Sequence, residues 1–204
     1  MDRARLNMRI LAATGKGAEA AADHENVSPP SENRTDILNN LVKELRALLD
    51  SGEEIELNAT LMMILEALYR GVGLDRVLFC LVTADRTHVQ ARLGVGADVE
   101  PLIDKFHFPI SIRGGPIGSA LLAKQDTILD AAAGLRYSRS AFMQVVGVPC
   151  FGILPLVVDD IVAGCLYFDR ASDSFSFDAR TRQMLLELRN FAVQAIARKH
   201  RPTR

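Results

Sequence analysis

Two pairs of short apolar runs, each pair joined by a short polar turn, limit the folds open to this chain of 204 residues. The runs are 77–82, 88–94, 149–158 and 161–169. Short runs rich in β-forming residues around such turns predict two antiparallel hairpins. Residues 88–94 alternate in polarity, which predicts that Val89, Ala91 and Leu93 share one face of a sheet.

Amphipathic helices are predicted before and after the hairpins. Apolar residues recur at spacings of three and four from Thr35 to Ser51, from Leu57 to Arg70 and from Phe177 to Lys199. Gly71 and Gly73 are expected to end the second of these helices.

Residues 97–147, which we call the insert, lie between the two hairpins. Their pattern predicts short helices, one of them capped by Asp98, and a short strand at 127–130. Hairpins with helices at both ends predict an α+β fold on an antiparallel sheet. We expect the terminal helices on one face of that sheet and the insert on the other.

The composition divides the chain into four regions. They are a flexible leader or linker at 1–33, an N-terminal helix and connector at 34–56, the folded domain at 57–199 and a basic tail at 200–204. A net charge of −1 does not favour a nucleic-acid partner. With no long apolar run and no signal peptide, the expected location is the cytoplasm, with no membrane partner.

The three cysteines are far apart in the sequence, and their spacing does not suit a zinc site. Cys80 and Cys165 have apolar neighbours within predicted strands, so we expect them to be buried as small hydrophobic residues. Cys150 begins a strand after Pro149, and two interpretations stay open for it. It either fills the core or reaches the rim of a pocket.

In order along the chain, four segments resemble the GAF domain, a small-molecule-sensing relative of the PAS fold. They are "LDRVLFCLV", "GPIGSALLAKQDTILD", "GVPCFGILPLVVDDIVAGCLYFDR" and "FSFDARTRQMLLELRNFAVQAI", and the resemblance covers roughly 57–197. "LYRGVGLDRVLFCLV", "CLYFDR" and "LRNFAVQAI" are also similar to GAF domains that follow an HDOD domain in bacterial signalling proteins. The resemblance implies a six-stranded antiparallel sheet, a ligand pocket beneath the insert and dimerisation through the terminal helices.

Three ligand-specific branches of the family match poorly. Reductases of free methionine sulfoxide use three cysteines in a spacing that this chain lacks. Bilin-binding domains attach their chromophore to a cysteine in the insert, where this sequence has none. Cyclic-nucleotide binders often carry an Asn-Lys-Phe-Asp-Glu set, but here Asp178 precedes Ala179. The sequence therefore identifies no cofactor.

We expect a non-catalytic regulatory domain that binds a small molecule between sheet and insert and signals through a helical homodimer. The pocket candidates, with the two arginines as anion contacts, are Phe106, Arg113, Leu129, Arg136, Tyr137, Phe142, Phe151 and Ile153. The dimer-helix candidates are Leu41, Leu45, Met62, Tyr69, Leu186 and Val193. The resemblance also implies an HDOD domain or another signalling domain as a partner.

Two alternatives stay open. The aromatic side chains could simply fill the core, which would leave a dimerisation scaffold with a vestigial pocket. A reductase acting on methionine sulfoxide through Cys150 is a third interpretation.

Overall fold

A six-stranded antiparallel sheet forms the centre of the molecule, as expected from the sequence. The computed structural model describes residues 31–51, 55–171 and 177–200, with side chains from Arg34 to Lys199. The strands are β1 (Arg76–Val82), β2 (His88–Gly96), β3 (His107–Pro109), β4 (Thr127–Leu129), β5 (Phe151–Val158) and β6 (Ile161–Asp169). Their order across the sheet is β3-β2-β1-β6-β5-β4. The two hairpins therefore meet at β1 and β6.

Three long helical elements come from the two ends of the chain. They are α1 (Ser31–Asp50), α2 (Leu57–Glu66), which continues into a π-helical segment (Ala67–Val72), and α7 (Ala179–His200). The insert contributes α3 (Val99–Lys105), α4 (Gly115–Ala123), α5 (Ala131–Gly134) and α6 (Ala141–Val146), with 3₁₀ turns at Ile112–Gly114 and Leu135–Tyr137. The described part of the chain contains no helix that is both long and apolar enough to span a bilayer.

Each face of the sheet carries its own buried core. Along β1, Val77, Phe79 and Leu81 pack with α1, α2 and α7, whereas Leu78 and Cys80 pack with the insert. Successive side chains of a strand point to opposite faces, so a strand covered on both sides must be apolar throughout. This arrangement accounts for the unbroken apolar run and confirms the expected α+β layering.

A β-bulge in β2 corrects one prediction. Phe79 pairs with Leu93, but the next residue, Cys80, pairs with Ala91, so Arg92 is an extra residue on β2. A bulge of this kind reverses the alternation of faces beyond it. Val89 and Ala91 lie in the core under the insert, whereas Leu93 packs against the helical core. The prediction that all three share one face was wrong for Leu93.

Three expectations about helix ends were also wrong. α1 begins at Ser31, before Thr35 and within the predicted leader, of which residues 1–30 lie outside the described part of the chain. Gly71 does not end the second helix, because the chain stays helical to Val72. A Cβ on Gly71 would lie 2.8 Å from Cβ of Leu38, so glycine lets α1 pack closely there. Asp98 has φ of 52° and makes no side-chain cap.

Candidate functional site

Five aromatic side chains pack together between the insert and the sheet. We call them the aromatic cluster: Phe106, Phe108, Phe142, Phe151 and Tyr167. Phe142 of α6 is central, with ring centroids 5.2 Å from Phe108, 5.1 Å from Phe151 and 5.9 Å from Tyr167. All five side chains are buried. The region that the sequence predicts as a pocket is thus occupied by the protein's own rings.

Four of the predicted pocket residues lie in this buried region. Phe106, Phe142 and Phe151 belong to the aromatic cluster, and Ile153 is buried in the same core. Tyr137 and Leu129 are half-buried and pack at its margin, with Tyr137 6.4 Å from the Phe151 ring.

The two predicted anion contacts lie outside the aromatic cluster. Arg113 is exposed in the turn Ile112–Gly114, and Arg136 is exposed with its guanidinium carbon 5.1 Å from the centroid of the Tyr137 ring. Arg136 and Leu129 instead line an open groove of about 380 Å³ between β4 and α7. The predicted pocket residues therefore separate into a buried group and a group at the surface.

A buried charged network lies beside the aromatic cluster. Arg76, at the start of β1, is opposite Asp169, at the end of β6, and donates to both carboxylate oxygens at 2.6 to 3.1 Å. The hydroxyl of Tyr167 donates to Oδ2 of Asp169 at 2.6 Å. The Asp169 side chain is 1% exposed and that of Arg76 is 16% exposed. We call these three residues the polar triad.

The polar triad also holds the insert. Nη2 of Arg76 donates to the backbone carbonyl of Val146, the last residue of α6, at 2.6 Å. Burial raises the pKa of the Asp169 carboxyl, although the hydrogen bonds from Arg76 and Tyr167 oppose that shift. Burial also raises the pKa of Tyr167 well above its usual value, so the phenol is neutral and acts as a donor. A single guanidinium thus joins α6 to both central strands.

Sequence reasoning missed the polar triad. Arg76 and Asp169 are 93 positions apart and meet only through the strand register. A charged residue at the end of a strand that is otherwise apolar was the available signal for Asp169. Such a charge needs a partner when it is buried.

All three thiols are buried, at 0 to 1% exposure. Burial raises the pKa of Cys80 well above its usual value, and a hydrogen bond with Cys165 raises it further. The described residues contain no group of three or more His, Cys, Asp or Glu side chains placed to hold a metal ion. While they stay buried in apolar surroundings, these thiols are poor nucleophiles, because the reactive form of cysteine is the charged thiolate.

The residues predicted to form the dimer contact differ in how deeply they are buried. Leu45 is completely buried in the core of its own chain, so it cannot contribute to a contact between copies in this fold. The other five are half-buried at the margin of the helical core: Leu41, Met62, Tyr69, Leu186 and Val193.

The model of the GAF domain family matches residues 56–196. A search of curated protein sequences finds no match. Solved structures show the same fold at low sequence identity. A fragment of a methyl-accepting chemotaxis protein, residues 122 to 287, has 22% identity and a TM-score of 0.61, covering 78% of this chain and 95% of that one.

Two further solved structures differ in what they bind. Free methionine-R-sulfoxide reductase from Neisseria meningitidis, in complex with its substrate, has 18% identity and a TM-score of 0.59, covering 88% of this chain and 99% of that one. The phycoerythrobilin-bound GAF domain of a cyanobacterial phytochrome has 16% identity and a TM-score of 0.61, covering 84% and 98%. These likenesses show the shared fold. With a family match over most of the described residues, this chain belongs to the GAF domain family.

Proposed function

We propose that this GAF domain is a non-catalytic regulatory module in which the position of the insert is transmitted through β1 and β6 to the terminal helices. The hydrogen bond from Arg76 to the carbonyl of Val146 carries this proposal, because it ties the end of α6 to the strand pair. Val77 and Phe168, the neighbours of Arg76 and Asp169 along those strands, pack in the helical core. A shift of α6 therefore acts on residues that contact α1, α2 and α7.

The ligand of such a module is a small molecule with a flat apolar part. It would take the place of the Phe142 ring against Phe108, Phe151 and Tyr167, which requires α6 to move outward. A polar group on that molecule could then reach Arg76 or Asp169. Coupling follows only if the molecule prefers the displaced arrangement of α6 over the closed one.

A thermal-shift screen with nucleotides, haem and amino acids tests the sensor function. We expect at least one compound to raise the melting temperature in proportion to the logarithm of its concentration. Phe142→Trp, which enlarges the ring at the proposed binding position, should abolish that shift, while Gln144→Ala on the exposed side of α6 should retain it. Mass spectrometry of small molecules retained by the purified protein identifies the compound. A ligand that shifts the Phe142→Trp variant equally would place its site elsewhere.

The second candidate function is a dimerisation scaffold without a ligand. The close packing of the aromatic cluster favours it, since its five rings already fill the space beneath the insert. For a scaffold we expect a dimer in sedimentation analysis and no thermal shift with any compound. Loss of dimerisation on adding a compound would support the sensor instead.

Reductase activity is a third candidate function, and it has less support than the sensor or the scaffold. Cys150 packs in the helical core, on the face of the sheet opposite the aromatic cluster, which argues against a thiol that attacks a sulfoxide bound beneath the insert. We expect no turnover of free methionine sulfoxide by the parent protein. Turnover that disappears in Cys150→Ser would establish an enzyme.

We further propose that the domain acts with an HDOD domain or another signalling domain. This proposal rests on the sequence segments that resemble HDOD-associated GAF domains. Calorimetric titration of an isolated HDOD domain into this chain tests the contact. Absence of heat at concentrations well above about 1 µM, a Kd that corresponds to a binding free energy of roughly −8 kcal/mol, would speak against the contact.

A further inference from the structure

Two of the three cysteines face each other across the middle of the sheet. Cys80 of β1 and Cys165 of β6 are direct partners in the antiparallel ladder. Both side chains are fully buried in the core beneath the insert. The third cysteine, Cys150, packs in the core on the other face. Cys80 and Cys165 are therefore neighbours on one face of the sheet, and the sheet separates them from Cys150.

Direct opposition in a ladder brings the two backbones to a separation that a disulfide can span. Opposed residues of an antiparallel pair have Cα atoms roughly 4.5 to 5.5 Å apart. Disulfides join cysteines whose Cα atoms are about 4.4 to 6.8 Å apart. Since both side chains lie on one face of the sheet, the sulfurs can approach without a change of strand register.

We propose that Cys80 and Cys165 are a modification site, a dithiol that hydroperoxides convert reversibly into a cross-strand disulfide. One cysteine gives up its proton, its thiolate attacks hydrogen peroxide and the O–O bond breaks, so that a sulfenic acid forms and the leaving hydroxide takes up the released proton as water. The second thiol attacks that sulfur, the S–O bond breaks, and water leaves as the S–S bond forms. The two thiols lose two electrons together, and hydrogen peroxide is reduced to two molecules of water.

The insert controls the rate of this reaction. With the thiols fully buried and the pKa of Cys80 raised, thiolate is scarce while the insert is closed. Helix α4 packs on β5 and β6 over this face, with Ile117 and Leu121 in the same core as the two cysteines. Local opening of the insert therefore precedes oxidation. Neither the opening nor the chemistry depends on a small-molecule ligand, so this inference goes beyond the proposed function.

Oxidation changes the packing beneath the insert. The two sulfurs, which are not bonded in the reduced protein, are held in the disulfide at a bond length of about 2.05 Å. Tyr167 lies on the same strand and the same face as Cys165, two residues along. Disulfide formation beside it removes volume from the floor of the aromatic cluster, so the insert packs less tightly in the oxidised protein.

Treatment of the full chain with hydrogen peroxide, without any added ligand, tests the proposal. We expect the intact mass to fall by the mass of two hydrogen atoms, and peptide mapping to find Cys80 joined to Cys165. Dithiothreitol should restore the original mass. Phe142→Ala, which loosens α6, should accelerate disulfide formation on the order of tenfold.

Matched variants separate this pair from the third thiol. Cys150→Ala should form the same disulfide at the parental rate, whereas Cys165→Ala should form none and gain oxygen instead. Links to Cys150, links between chains, or retention of all three thiols in the native parent protein would overturn the proposal. An equal rate in Phe142→Ala would overturn the protective role of the insert. Failure to find a ligand for the domain affects none of these results.

Discussion

At the scale of single residues, the polar triad is the part of the described structure where we expect the loss of one side chain to cost the most stability. Asp169 is almost completely buried, and Arg76 and Tyr167 donate the hydrogen bonds that replace water at its carboxylate among the described residues. A buried charge that loses its partner is far less tolerable than an exposed one, because desolvation is no longer offset. The triad therefore fixes the ends of β1 and β6 as well as the end of α6.

Replacing Arg76 by methionine leaves the Asp169 carboxyl buried with only the phenol of Tyr167. We expect a loss of about 3 to 5 kcal/mol in the free energy of unfolding, measured by urea denaturation. Tyr167→Phe removes one hydrogen bond and should cost about 1 kcal/mol. Lys124→Met breaks an exposed ion pair with Asp160 and serves as the matched control, with an expected loss below about 1 kcal/mol. Similar losses in Arg76→Met and Lys124→Met would contradict the importance of burial.

Asp85, in the turn between β1 and β2, gives a prediction on pH. Hydrogen bonds from the hydroxyls of Thr83 and Thr87 and from the Thr87 amide lower the pKa of its carboxyl to about 2. Because the pKa of an unfolded aspartate is about 3.9, the contribution of Asp85 to stability is complete above that pH and is lost as the pH falls through 2.

Asp85→Asn keeps the acceptor oxygen but removes the charge. The stability difference between the parent and this variant should therefore grow as the pH rises from about 2 to about 4 and stay constant above. Guanidinium-induced unfolding of both proteins over that pH range measures this stability difference. A difference that is independent of pH would mean that the carboxylate charge does not matter in this turn.

At the scale of elements, α6 is the part of the insert that most of the candidate site depends on. It is only six residues long, yet it carries Phe142 into the aromatic cluster and ends at the carbonyl that Arg76 binds. Its own ends are well defined, with the Ser140 hydroxyl accepting from the Met143 amide and Gly147 in the left-handed region at φ of 72°. The helix is thus held by capping, by one ring and by one guanidinium.

Phe142→Ala should lower the free energy of unfolding by about 3 to 5 kcal/mol, because it removes the ring that contacts four other aromatic side chains. Gln144→Ala, on the exposed side of the same helix, is the control and should change stability by less than about 0.5 kcal/mol. Chemical denaturation followed by circular dichroism measures both. A loss in Phe142→Ala as small as in the control would show that the cluster is loosely packed.

The elements that could be predicted from the sequence are those whose pattern is local. Runs 77–82 and 161–169 are apolar throughout because both faces of their strands are covered, and short turns identify their hairpin partners. Leu93 was assigned to the wrong face because a bulge depends on pairing with another strand. Phe106, Phe142 and Phe151 were identified as neighbours, but the degree to which the space is filled also depends on Phe108 and Tyr167, which no sequence pattern indicated.

At the scale of the whole molecule, the sheet separates the insert from the helices of the chain ends. The helical side carries half-buried residues of α7, including Leu186 and Val193, at the margin of its core. The insert side carries exposed apolar side chains such as Ile112, which is 84% exposed. The two sides therefore offer different surfaces to a second copy.

Leu186→Glu and Val193→Glu should shift a dimer towards monomer if association uses the terminal helices, because a carboxylate in an apolar contact is unfavourable. Ile112→Glu introduces the same charge on the insert and should leave the association state unchanged. Sedimentation velocity measures the state of all three variants, and far-ultraviolet circular dichroism confirms that each remains folded. Dissociation caused only by Ile112→Glu would place the interface on the insert.

The meeting of β1 with β6 at the centre of the sheet has a kinetic consequence. Each hairpin has a turn of only a few residues. The strand pairs β1–β2 and β5–β6 can therefore each form independently, on a time scale of microseconds. The pairing of Arg76 with Asp169 must instead close a loop that contains the whole insert. The chain loses the conformational entropy of this loop before the contacts between β1 and β6 stabilise the structure. We therefore expect the docking of two preformed hairpins to be the slow step in reaching the native topology, and shortening the insert should accelerate folding.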